Sequence, residues 1–189
     1  MRKVLLVVML LALLMLPGTA MSAELVTNGG FETGDFTGWV QSGDTGYTHV
    51  YTWDAYSGVY GAEFGPQNPT GGFISQDLVT AIGETYNLSF WLRNDDVSND
   101  NAYGVMWGGA FISPVVYNIN QFDWTQISFG PLTATSPTTE LALGFYNYNS
   151  WFRLDDVSVT PTAAPEPATI LLLGLGLMGL AGMRRKIQK

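Results

Sequence analysis

Trp91 and Arg93 stand two residues apart in a segment, 85–93, that alternates strictly. Tyr86, Leu88, Phe90 and Leu92 share one side, and Asn87, Ser89, Trp91 and Arg93 share the other. Period two with one apolar side is the pattern of a strand covering a core and showing its second face to water or ligand. A tryptophan on that second face needs a reason. Sugar rings supply one, because their C–H faces pack on indole and phenol rings while carboxylates, amides and guanidinium groups bond the hydroxyls. Tyr146 takes the corresponding side of 140–146, where Leu141, Leu143 and Phe145 alternate with Ala142, Gly144 and Tyr146. Trp124 and Gln126 follow the same spacing in 125–129 and its approach. These five residues form the candidate polysaccharide-binding set. The competing role for their rings is to lie covered by the loops at 95–101 or 147–150.

Catalysis finds less material. Glycoside hydrolysis needs two carboxyl groups about 5–10 Å apart across a cleft. Asp95-Asp96 and Asp155-Asp156 are adjacent instead, and neighbours in a strand point to opposite faces. His49, the one histidine, lies between Thr48 and Val50 without a nucleophile motif nearby, so Ser/His/Asp chemistry has no anchor. The expectation is a protein that is not an enzyme. A carbohydrate-active hydrolase would require an acid pair that the fold alone assembles.

The elements that must position these residues are short. Apolar-aromatic runs at 24–27, 38–41, 47–52, 59–64, 73–79, 85–93, 103–107, 115–117, 125–129, 140–146 and 151–160 are separated by Gly, Asn, Asp and Pro clusters. Strands at this spacing predict an all-β, two-sheet antiparallel β-sandwich or jelly roll. All 25 aromatic residues fall between positions 24 and 161, as a packed β domain requires. Cysteine is absent, so the core, a bound metal or both must stabilise the domain.

The two ends do not belong to this domain. Arg2-Lys3, the apolar run 4–16 and small residues to Ala23 read as a secretory signal, residues 1–23. Residues 161–167 form a proline-rich linker and 168–183 an uncharged hydrophobic segment, followed by basic residues over 184–189. A cationic cluster after an apolar stretch fits a stop-transfer segment with its basic end in the cytoplasm. Both ends are expected to be helices flanking the sandwich at 24–160. The region between the ends holds 15 acids against two bases, Arg93 and Arg153, a formal charge of −13. That surface repels nucleic acid, which is excluded as a partner, and attracts cations, calcium especially.

Pro165-Glu166-Pro167, the apolar segment and the terminal Arg184-Arg185 pair together resemble the PEP-CTERM sorting signal of Gram-negative bacteria. The resemblance implies recognition by an exosortase-type sorting enzyme. It also implies membrane attachment through 168–183 before processing, and delivery to the envelope surface or extracellular matrix. Leu25-Val-Thr-Asn-Gly-Gly-Phe-Glu32, Ile74-Ser-Gln-Asp-Leu78, Thr85-Tyr-Asn-Leu-Ser-Phe-Trp-Leu92 and Leu154-Asp-Asp-Val-Ser-Val159 resemble the galactose-binding-like jelly rolls that include several carbohydrate-binding modules. That resemblance implies a structural Ca2+ ion joining the first and last strands. Its ligands would be the Gly30 carbonyl, Glu32, and Asp155 or Asp156, with Asp54 and Ser57 completing the shell. The expected function is an exported, non-catalytic polysaccharide-binding protein. The alternative is a purely structural surface protein that binds no specific sugar.

Overall fold

The computed structural model describes residues 23–162, which form one compact unit, together with Gly176. The expected flanking helices, the PEP motif, and Arg184 and Arg185 lie outside the described residues. Among the described residues no helix is long and apolar enough to cross a membrane.

Among the described residues there are eleven strands: β1 Val40–Gly43, β2 Thr48–Tyr51, β3 Gly61–Phe64, β4 Gly72–Val79, β5 Thr85–Asn94, β6 Asn101–Trp107, β7 Ala110–Phe111, β8 Val116–Tyr117, β9 Phe122–Thr133, β10 Thr138–Asn147 and β11 Phe152–Pro161. They build two antiparallel sheets. The first runs β1-β4-β10-β6-β7, with β8 also on β6, and the second runs β2-β3-β11-β5-β9. Core side chains come from alternate positions of both sheets, including Leu88, Phe90 and Leu92 of β5, Leu141, Leu143 and Phe145 of β10, and Phe152 and Leu154 of β11. Phe64 and Phe145 meet across the interior with ring centroids 4.4 Å apart. The alternation read from 85–93 and 140–146 is the observed one.

Three elements differ from expectation. Residues 24–27 are not a strand: Leu25 donates one backbone hydrogen bond to Val159, and the Glu24 carboxylate accepts the Val159 N–H at 2.9 Å. The side chain of Gln76 then fixes this segment, accepting from Thr27 N–H at 2.7 Å and donating to the Thr27 and Gly38 carbonyls. Residues 110–111, too short to show alternation, pair with β6. The run at 125–129 extends to Phe122–Thr133.

A buried amide network closes the end of the sandwich near Tyr146. Asn147 Nδ2 donates to Asn94 Oδ1 at 3.1 Å, and Asn101 Nδ2 donates to Asp96 Oδ2 at 2.8 Å. Asn101 Oδ1 accepts the Ile119 N–H. Burial opposes charge on Asp96, yet hydrogen bonds from Ser98 and Asn101 hold its pKa below the ordinary carboxylate value.

Candidate functional sites on the two outer faces

The expected sugar-binding set is divided between the sheets. Trp91 and Arg93 on β5, with Trp124 and Gln126 on β9, share the outer face of the second sheet, where Trp91 and Gln126 are cross-strand partners. Tyr146 lies on β10, in the first sheet. Parity assigns a residue to the inner or outer side of its strand but not to one of two sheets, so the inclusion of Tyr146 in that face is corrected. Trp91 is also not free. Tyr56 stacks on it at 3.9 Å between centroids and 16° between planes, and Trp124 packs against Tyr56 at 5.5 Å. The loop that covers Trp91 is 52–60, not the loops at 95–101 or 147–150.

Arg93 is likewise engaged. It stands cross-strand from Arg153, so both bases of residues 24–161 sit side by side. One carboxylate holds them together: Arg93 Nε donates to Asp95 Oδ1 at 2.7 Å and Arg153 Nε to Asp95 Oδ2 at 2.6 Å. Arg153 also pairs with the fully buried Asp54. Burial lowers the Arg153 pKa and raises that of neighbouring Glu63, which His49 partly offsets. This network was hidden because Arg153 reads in sequence as one charge in an alternating strand.

The acids expected around calcium converge, with one exception. The pairing of β5 with β11 slips between Asp155 and Ser158, and Asp156 takes a left-handed backbone at φ 50°. The bulge defeats simple alternation. A Cβ placed on Gly30 would lie 3.4 Å from Asp156 Oδ1 and 3.7 Å from Asp155 Oδ1, so both carboxylates approach that glycine. Asp155 Oδ2 accepts the Tyr56 and Ser57 N–H groups at 2.7 and 3.0 Å, and Ser57 Oγ donates to Asp156 Oδ1 at 3.0 Å. Glu32 accepts from Val59 and Tyr60 N–H. Gly58 is required here, since its φ is 66° and a Cβ would lie 2.2 Å from Glu32 Oε1. Burial raises the Asp155 pKa to about 6 against the pull of the backbone donors. Asp54 is the exception, its carboxylate being turned to Arg153. Among the described residues no group of three or more His, Cys, Asp or Glu side chains is arranged to hold a metal ion. Glu32, Asp155 and Asp156 have no basic partner among the described ion pairs.

The outer face of the first sheet carries a groove of about 140 Å³. Its floor is a cross-strand glycine pair, Gly144 on β10 and Gly104 on β6. A Cβ on Gly144 would lie 2.4 Å from Phe73 Cε1, and one on Gly104 would lie 2.9 Å from Phe111 Cε1. The two phenyl rings therefore lie against backbone where other residues would hold them off. Tyr117, Val115 and Tyr146 complete the walls. Tyr146 OH donates to Asp100 Oδ1 at 3.1 Å, and burial followed by this bond raises its pKa. Phe73, Phe111 and Tyr117 were missed because only β-pairing of the short β7 and β8 segments brings them together. Gly144 inside a bulky apolar strand was the available signal.

Residues 163–186 match the PEP-CTERM protein-sorting motif. A PEP-CTERM tail marks an exported protein sorted to the cell surface. No curated protein matches the chain. The fold is that of carbohydrate-binding modules. TmCBM61, solved in complex with β-1,4-galactotriose, is 20% identical with a TM-score of 0.61 over 74% of this chain and 99% of that one. The CBM22-1 xylan-binding domain of Paenibacillus barcinonensis Xyn10C is 15% identical with a TM-score of 0.56, over 76% and 97%. A family 16 carbohydrate-binding module is 20% identical with a TM-score of 0.51, over 72% and 99%.

Proposed function

We propose that this PEP-CTERM protein is a non-catalytic polysaccharide-binding module of the cell envelope or extracellular matrix, and that the groove on its first sheet holds the glycan. The glycine-floored aromatic groove carries the reading. Rings seated against the sheet present a fixed apolar surface to a sugar's C–H face at little entropic cost, and the tyrosine hydroxyls bond its hydroxyl groups. Known modules of the same fold that bind galactotriose and xylan support the ligand class. The non-catalytic assignment is supported by the solved structures of the same fold, which are carbohydrate-binding modules. On the second sheet, Asp95 and Asp54 are neutralised by Arg153. The test is a glycan array probed with the full chain and with Tyr146→Ala. The reading expects binding that falls by about tenfold or more, the loss of one well-placed aromatic contact and its hydroxyl. Unchanged binding by Tyr146→Ala would overturn it.

We propose in addition a structural calcium ion, for which Glu32, Asp155 and Asp156 would have to draw together, since no three carboxylates of the described residues stand ready around one. The Gly30 carbonyl, Glu32, Asp155 and Asp156 are the oxygens that would hold it, with Ser57 beside them. They form a hard, oxygen-only donor set. The ion would tie the 52–60 loop to β11 and do no chemistry on the sugar. The tail, in this reading, is removed by an exosortase-type enzyme after holding the chain at the membrane of a Gram-negative host.

A further inference from the structure

The charges on the outer face of the first sheet are one-sided. Asp77 on β4 and Glu140 on β10 are cross-strand partners on the same outer face. Both are exposed and neither enters an ion pair among the described residues. Like charges directly opposite one another destabilise a sheet unless something compensates them. Further along β10 the face passes Ala142 and Gly144 to Tyr146, whose hydroxyl is held by the exposed Asp100. Glu140 and Tyr146 lie about 20 Å apart along the strand. Asp100 thus adjoins the groove at Tyr146, and the Asp77–Glu140 pair lies on the same face four positions, roughly 13 Å, beyond the groove's Phe73 and Gly144. Arg93 and Arg153, the bases of residues 24–161, are on the opposite sheet and locked to Asp95 and Asp54.

We infer that the groove takes a cationic, amino-sugar polysaccharide, such as a partly de-N-acetylated hexosamine polymer. The inference rests on the groove being the glycan site. Pyranose rings of such a polymer would pack on Phe73 and Phe111, with a free ammonium group reaching Asp100, and the polymer continuing along the sheet would bring further ammonium groups to Asp77 and Glu140. Uronate polymers meet uncompensated carboxylates, and fully N-acetylated or neutral polymers leave the acidic pair without a partner.

The experiment is calorimetric titration of the full chain with three oligosaccharides of equal length: glucosamine, N-acetylglucosamine and galacturonate oligomers. The glucosamine oligomer is expected to bind about tenfold tighter than the N-acetylated one, the sum of a few solvent-exposed ion pairs, and to weaken as salt rises. Asp77→Asn with Glu140→Gln should erase that preference. Since any acidic domain attracts polycations, Tyr146→Ala, which leaves the net charge unchanged, must also lose the glucosamine oligomer, and Tyr117→Ala provides a second charge-neutral block. Binding that persists in both overturns the inference as mere surface attraction. A preference for the N-acetylated or uronate oligomer overturns the inference but leaves the polysaccharide reading standing. No binding of any oligomer, with an empty glycan array, overturns both.

Discussion

At the scale of single residues, the two large aromatics that alternation exposes have opposite fates. Trp91 has its indole covered by Tyr56, whereas Tyr146 lines an open groove. Trp91→Ala should therefore act on stability: losing a half-buried indole and its stack costs about 2–3 kcal/mol. Thermal unfolding should show a lowered Tm with glycan affinity unchanged. Arg153→Met should cost more, about 3–5 kcal/mol, because it leaves the fully buried Asp54 carboxylate without its cation. Asp54→Asn in the same background should recover part of that loss, as a double-mutant cycle would measure. Trp91 was legible in the sequence as a residue needing an explanation, and the explanation lay in a loop residue 35 positions earlier. Ring coverage of that kind depends on tertiary packing, which strand periodicity does not encode.

At the scale of elements, the bulge in β11 decides the electrostatics. It turns Asp155 and Asp156 toward Gly30 and the 52–60 loop, and burial raises the Asp155 pKa from 3.8 to about 6. Glu63 is shifted the same way by its burial. A carboxyl whose folded pKa exceeds its unfolded one stabilises the fold when protonated, and that contribution is lost as pH rises through the folded value. The chelated protein is thus expected to gain Tm as pH falls from 7 toward 5. A Tm that falls over that interval would contradict the burial of these two acids. Separately, added calcium at neutral pH should raise Tm above that of the chelated protein. An unchanged Tm would remove the metal proposal. Strand identity was readable here from alternating apolar residues, whereas the proximity of the acids to the first segment came from the resemblance to galactose-binding-like jelly rolls. The bulge was not, since it arises from pairing with β5 and not from a local turn signature.

At the scale of the whole molecule, the sandwich gives two outer faces different work. The second sheet concentrates both bases of residues 24–161 and the Trp91–Tyr56 stack, beside shallow hollows lined by Arg93 and by Gln126. The first keeps small residues at Gly104, Ala142 and Gly144, and the Phe73 and Phe111 rings lie down in the space the glycines leave, forming the groove's apolar surface. The all-β architecture followed from aromatic density and turn spacing. The division of the outward residues between sheets did not, because strand order is a long-range property. The polypeptide is delivered by its PEP-CTERM tail. Mass spectrometry of the protein from its host should show a mature chain beginning near residue 24 and ending close to Pro165. A chain retaining residues 168–189 would contradict removal of the tail.

The central claim is that glycan occupies the first sheet and not the second. Amide chemical-shift mapping during titration with a bound glycan reads this directly. The account predicts perturbations concentrated at Gly104, Phe111, Tyr117 and Gly144, with Trp91, Arg93 and Gln126 unmoved. Perturbations centred on Trp91, Arg93 and Gln126 while the glycine floor stays silent would contradict it.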